Sequence, residues 1–155
     1  MAEWLAQKQV QIRNLHRALA PVVLTPREGM IGNESVQSQW ATSADGKWMY
    51  YSTNVGDIDR RHIWKVPTSG GEAVQVTTAE IETYPMPLAS GKTLAVMSAT
   101  ALRPQGVALW PTDANAPASR EKVIYPTLTK DFPMGAQVVP TNVTLTAADG
   151  MKFNN

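Results

Sequence analysis

Along most of this chain, apolar and polar residues alternate in short runs broken by turn residues, which is the two-residue period of strands buried on one face. Ser38 to Thr42 reads as extended, and Asp45-Gly46 supplies the positive-φ positions of a two-residue hairpin. Trp48 to Ser52 is aromatic and strand-favouring. A polar loop from Asn54 to Arg61 precedes a third strand, His62 to Val66; Ser69-Gly70-Gly71 turns, and Ala73 to Val76 makes a short fourth. Four strands and three turns form one unit.

The pattern then recurs. WATSADGKWMYYSTN and RRHIWKVPTSGGEAVQVT lie between Trp40 and Thr77, and YPMPLASGKTLAVMS and GVALWP lie between Tyr84 and Pro111. Between the copies, Gly46 moves to Gly91, a shift of 45, and Trp64 moves to Trp110, a shift of 46. The second copy parses as Thr83 to Pro87, a Ser90-Gly91 turn, Thr93 to Met97, a loop holding Arg103-Pro104, Val107 to Pro111, and a last strand Val123 to Tyr125. A period of about 40 to 50 residues made of short strands is the signature of β-propeller blades. One such unit cannot bury both of its faces, so the repeat calls for neighbours.

The ends differ. Val22 to Pro26 takes the place of the VQVT strand and reads as the outer strand of a preceding unit, while residues 1–20 suit either a helix or an edge strand. Past Pro126 an extended linker leads to Val143 to Ala147, an Asp149-Gly150 turn and a strand begun at Lys152. The expected architecture is all-β: a partial β-propeller of about two four-stranded blades with a remnant of a third, then a linker and a β-hairpin. Its divisions fall at residues 1–35 (remnant and connecting loop), 36–78 and 79–126 (blades), and 127–155 (linker and first strands of a further domain).

Composition narrows the partners. Apolar residues make up 43% and charged residues 17%, which suits a folded chain better than a disordered one. Lys and Arg total 14 against 13 Asp and Glu, and no basic stripe forms, so nucleic acid is not an expected partner. The absence of cysteine excludes disulfides and thiolate metal sites, and leaves the compartment open. No apolar run has the length of a membrane span, and Gln7, Lys8, Gln9, Gln11 and Arg13 interrupt the first segment where a signal peptide would be apolar. No cofactor and no metal is expected: Asp45, Asp57 and Asp59 suit turns and loop solvation, and His62 has no second ligand at metal spacing. Asn33-Glu34-Ser35 and Asn142-Val143-Thr144 match the glycosylation sequon.

SADGKWMYYSTN followed by HIWKVPTSGGEAVQVT resembles the propeller repeat of TolB-like proteins and of the prolyl oligopeptidase family of serine peptidases, especially the dipeptidyl peptidase IV and acylaminoacyl peptidase branches. The tail VVPTNVTLTAADGMKF resembles the segment by which those peptidases pass from propeller to α/β-hydrolase domain, which favours the peptidase. The resemblance implies a piece of a substrate-gating propeller acting on oligopeptides, with chemistry elsewhere in a longer parent. A catalytic serine of that family sits in G-x-S-x-G, with acid and histidine following it. No G-x-S-x-G occurs in this chain, and His16 and His62 both precede the tail, so it carries no catalytic residue and no peptidase activity of its own is expected.

Arg60 and Arg61 are the candidate substrate-binding residues, because a guanidinium on a propeller loop can hold a peptide carboxylate in bidentate fashion. The alternative for both is a solvated loop pair. Trp40, Trp48, Trp64 and Trp110 are expected to pack between blades. The alternative function is a non-catalytic TolB-like module that binds a protein partner. The peptidase reading implies a peptide substrate, the missing blades and a hydrolase domain as partners, whereas the alternative implies further repeats and no hydrolase domain; in either case the isolated chain is expected to self-associate through its uncovered faces.

Overall fold

A computed structural model describes Leu24, residues 40–57 and residues 59–154. The readings for residues 1–20 and for Val22 to Pro26, Leu24 apart, lie outside the described residues. Within them the protein is all-β. Two four-stranded antiparallel sheets have sequential strand order, and a separate two-stranded sheet follows. The first contains β1 (Trp40–Thr42), β2 (Trp48–Thr53), β3 (His62–Pro67) and β4 (Val74–Gln75). The second contains β5 (Ile81–Pro87), β6 (Thr93–Thr100), β7 (Arg103–Pro111) and β8 (Lys122–Tyr125), and the hairpin pairs β9 (Thr144–Thr146) with β10 (Lys152–Asn154).

The duplication in the sequence is a duplication of hydrogen bonds. In the first sheet Ser43 N–H donates to Trp48 O and Gly46 N–H to Ser43 O; in the second, Leu88 donates to Thr93 O and Gly91 to Leu88 O. Thr68 closes the first copy with its N–H on Lys47 O and its hydroxyl on Gly46 O, and Thr112 repeats both bonds to Lys92 and Gly91. Asp45 accepts the Lys47 N–H at 3.1 Å, and Ser90, in its place, accepts the Lys92 N–H at 3.3 Å. A hydroxyl thus substitutes for the carboxylate that the second copy lacks.

These bonds correct two expectations. Asp45-Gly46 is not a two-residue hairpin: Thr42 pairs with Met49, so the connection is longer, and of the two only Gly46 takes a positive φ, 70°. Asp45 acts instead through its carboxylate, which accepts from Ser43 Oγ and from the Lys47 N–H and is held below the usual carboxylate range chiefly by the Ser43 bond. Trp64 and Trp110 are also not equivalent. Trp48 pairs with Pro67 and Thr93 with Pro111, so on the third strand the shift is 44 and Trp110 corresponds to Val66.

The core lies between the two sheets. Pairing places Trp48, Tyr50, Ile63 and Lys65 on one face of the first sheet. It places Leu94, Val96, Ala108 and Trp110 on one face of the second. Tyr50, Ile63, Val76, Leu94, Val96, Ala108, Trp110 and Ala116 form one buried apolar cluster, with Trp48 packed against it. Of the tryptophans expected to pack between sheets, Trp110 does so fully at 1% exposure, whereas Trp40, on an edge strand, is 55% exposed.

Burial pushes the Tyr51 phenol up to about 12, and raises that of Tyr50 with help from the nearby Asp45 charge. An unfolded tyrosine ionises near 10. The stabilisation that keeps Tyr51 neutral is therefore complete below about pH 10 and lost as the pH climbs towards 12. Alkaline titration followed by tyrosinate absorbance should show Tyr51 ionising together with unfolding; ionisation near pH 10 with circular dichroism unchanged would contradict this.

Two further boundaries differ from expectation. Arg103-Pro104 belongs to β7 rather than to a loop, because β6 and β7 run on to a tight turn at Ala101 and Leu102. The linker is not wholly extended: Met134–Ala136 forms a short 3-10 turn, with Ala136 N–H on Pro133 O and Gln137 N–H on Met134 O.

Candidate functional site

One end of the interface between the sheets is polar. Towards the ends of β2 and β6 and at the start of β5, the buried residues include Ser52, Ser98 and Glu82, each at 0% exposure. Glu82 N–H donates to Arg61 O, and its own carbonyl accepts from Ser52 Oγ at 3.1 Å. His62 Nδ1 stands 2.9 Å from Glu82 Oε2, with side-chain exposures of 11% and 0%. The other oxygen, Oε1, has no partner. Beside this pair, Arg103 Nη2 lies 3.1 Å from Glu121 Oε1 and 2.9 Å from Ser98 Oγ, and Ser98 Oγ bonds the same Glu121 oxygen.

Above this polar layer opens a cleft of about 640 Å3, bounded by the β2–β3 loop, the start of β5, the β6–β7 turn and the linker at residues 139–142. Its charged walls are Asp57, Asp59, Arg60 and Glu80, and Ile81, Ala101, Val139 and Pro140 supply apolar surface. The loop is ordered by its own carboxylates: Asp57 accepts the Asp59 N–H at 3.1 Å and faces Arg60 Nη1 at 3.8 Å. Asn142 Nδ2 donates to Asp59 Oδ2 at 2.6 Å, so this sequon asparagine holds the linker to the loop. Glu80 accepts the Ala101 N–H at 2.6 Å and so secures the β6–β7 turn.

Of the two candidate arginines, Arg60 lines this cleft, and both Arg60 and Arg61 line a smaller adjoining recess with Asn54, Asp59 and Ile81. The backbone of Arg61 forms a parallel bridge to Ile81, joining the two sheets. The structure brings the pair together and adds what the sequence reading had not associated with them, namely Glu80 and Asn142. Neither carries a local signal for this role, since each reaches the cleft from a different copy or from the linker. Among the described residues three carboxylates and one guanidinium line the cleft, an excess of negative charge that favours a cationic group over a carboxylate.

A second cleft, of about 450 Å3, lies at the opposite end between the two repeated turns, lined among others by Asp45, Trp48, Tyr50, Lys65 and Thr112. Its cation is already engaged. Lys65 Nζ donates to Thr112 O at 2.6 Å and sits 4.8 Å over the Trp48 ring, and burial lowers its pKa against the opposing pull of Asp113. This arrangement joins the sheets rather than receiving a ligand.

Among the described residues no group of three or more His, Cys, Asp or Glu side chains is placed to hold a metal ion, and Asp45 lies at the far end from Asp57 and Asp59. No helix among them is long and apolar enough to cross a membrane. Neither a scan against protein-family models nor a search of curated proteins finds a match for this chain.

Proposed function

We propose that this chain is part of the substrate-gating β-propeller of a serine peptidase of the prolyl oligopeptidase family acting on oligopeptides, and that it carries no catalytic residue itself. The observation that supports this is the repetition of two face-packed four-stranded sheets whose first turns share the same hydrogen bonds, followed by a two-stranded hairpin. In both repeated turns the closing N–H reaches five residues ahead, Ser43 to Trp48 and Leu88 to Thr93. In the tail Ala147 N–H reaches Met151 O, four ahead, although Asp149-Gly150 spells the same dipeptide as Asp45-Gly46. The tail hairpin keeps the glycine and aspartate bonds of the repeated turn but closes one residue sooner, in a separate two-stranded sheet, which agrees with a passage from the repeat into a different domain.

In this reading Asp57, Asp59 and Glu80 are the substrate-binding groups of a cleft with apolar walls, and Arg60 and Arg61 stand at its mouth. Because Asp57 already faces Arg60, a peptide carboxylate must compete for that guanidinium, while an ammonium group finds Asp57, Asp59 and Glu80. The cleft thus suits the amino end or a basic side chain of a peptide. Gating is steric, and bond cleavage belongs to the hydrolase domain.

The test is the nucleotide sequence 3′ of the Asn155 codon. A continuing frame that encodes an α/β-hydrolase sequence with a G-x-S-x-G elbow is the expected result. Further repeats without such an elbow would replace this proposal by the TolB-like, protein-binding one. The purified 155-residue chain is expected to leave fluorogenic acyl-peptides and dipeptides intact, and turnover by it would overturn the assignment of catalysis to another domain.

A further inference from the structure

The second sheet has two faces of different fate. One is buried against the first sheet. On the other, pairing places Thr83, Met86, Ala95, Met97, Val107, Leu109 and Tyr125; Met86 is 64% and Tyr125 69% exposed, Ala95, Met97, Val107 and Leu109 are half-buried, and Thr83 is buried. Among the described residues the register puts a single charged side chain on this face, Lys122, on the edge strand. The repeat identifies what kind of surface this is. With shifts of 45 and 44, Ala95 and Met97 correspond to Tyr50 and Ser52, and Val107 and Leu109 to Ile63 and Lys65. Those are the first-sheet residues that face the second sheet, so the open face occupies the positions that cover a neighbouring sheet in the first copy.

We propose that this face is a self-association surface, and that its occupant is the same face of a second copy of the chain across a two-fold axis. The symmetry follows from what a second copy has to offer. A head-to-tail array needs the outer face of the first sheet, but Tyr51, Thr53 and Val66 on that face are at 0% exposure and closed to a partner. The inner face of the second sheet is likewise occupied. The open face can therefore meet its own counterpart in an isologous contact, which closes at the dimer and does not propagate. Two such faces pack at about 10 Å with strands nearly aligned, methionine and leucine side chains interdigitating.

The size of the face sets the strength. Four strands about 4.8 Å apart and roughly seven residues long cover a plane of about 440 Å2. That is less than the roughly 800 Å2 per partner of a standard interface, so the dimer is expected to be weak and to form only as concentration rises. This inference does not rest on the peptidase reading, because it uses only pairing and exposure.

Sedimentation velocity over a concentration series tests it on the intact chain. The expected result is a monomer–dimer equilibrium. Met86→Lys and Tyr125→Lys together place like charges on both sides of the two-fold and are expected to weaken the dimer at least tenfold, with circular dichroism unchanged because both side chains are exposed. Val138→Lys, at an 81% exposed apolar residue of the linker, is expected to leave it unchanged. A chain that stays monomeric to about 100 µM, an equal effect of Val138→Lys, or growth beyond the dimer would each overturn the proposal.

Discussion

Replacing His62 by alanine is expected to cost about 3 to 5 kcal/mol of folding stability, because it leaves a carboxylate buried without its partner. Glu82 is at 0% exposure, and its Oε2 has the His62 nitrogen at 2.9 Å while Oε1 has no partner at all. With the imidazole gone, neither oxygen has a hydrogen-bond partner among the described residues. Glu82→Ala removes the charge and leaves an imidazole that is 11% exposed and can recover part of its hydration, so its cost should be the smaller. Replacing both together, as His62→Leu with Glu82→Leu, should recover most of the loss, since a buried pair with one oxygen unsatisfied returns little beyond its own desolvation. Urea unfolding of the parent and these three variants measures the order. A His62→Ala loss below about 1 kcal/mol, or a double variant as unstable as His62→Ala, would contradict the burial described.

Trp110→Ala is expected to cost a similar amount, about 3 to 5 kcal/mol, by a different mechanism. The indole is at 1% exposure opposite Leu94, in the middle of the cluster that joins the sheets, and its removal leaves a cavity that two sheets fixed by their hydrogen-bond ladders cannot close. Its Nε1 has no partner, so Trp110→Phe keeps most of the ring and discards an unsatisfied donor, and should cost clearly less than alanine. Trp40→Ala is the contrast: at 55% exposure on an edge strand, it should fall within about 0.5 kcal/mol of the parent. Thermal or urea melts of the three variants give the order, and equal losses for Trp40→Ala and Trp110→Ala would remove the distinction between core and edge.

How far the fold was legible follows from where its information lies. The strand order within each sheet, the Gly46 and Gly91 turns and the tail hairpin were readable, because alternation and glycine conformations are local properties of the chain. The β6–β7 turn was not. Thr100-Ala101-Leu102-Arg103 contains none of the usual turn residues, and its closure rests on Glu80 accepting the Ala101 N–H and on Arg103 held by Ser98 and Glu121. Glu80 and Glu121 stand about twenty residues away along the chain, beyond the reach of a local turn signal. The tryptophan alignment misled for a related reason: spacing along the chain is not register, and one residue fewer before Pro111 moves Trp110 to the place of Val66.

The candidate cleft divides in the same way. Arg60 and Arg61 were identifiable as a charged pair on a loop, but their electrostatic setting was not, because Glu80 arrives from the second copy and Asn142 from the linker. The sequence by itself determined that this protein is a duplicated antiparallel β structure, since a two-residue period and a repeated turn leave the backbone little else to form. Tertiary structure decided which face of each sheet is buried and that a histidine–glutamate pair lies sealed beneath the cleft. It also decided that the cleft is negative rather than poised for a carboxylate, because burial and field depend on residues that are distant in the chain and adjacent only after the sheets pack.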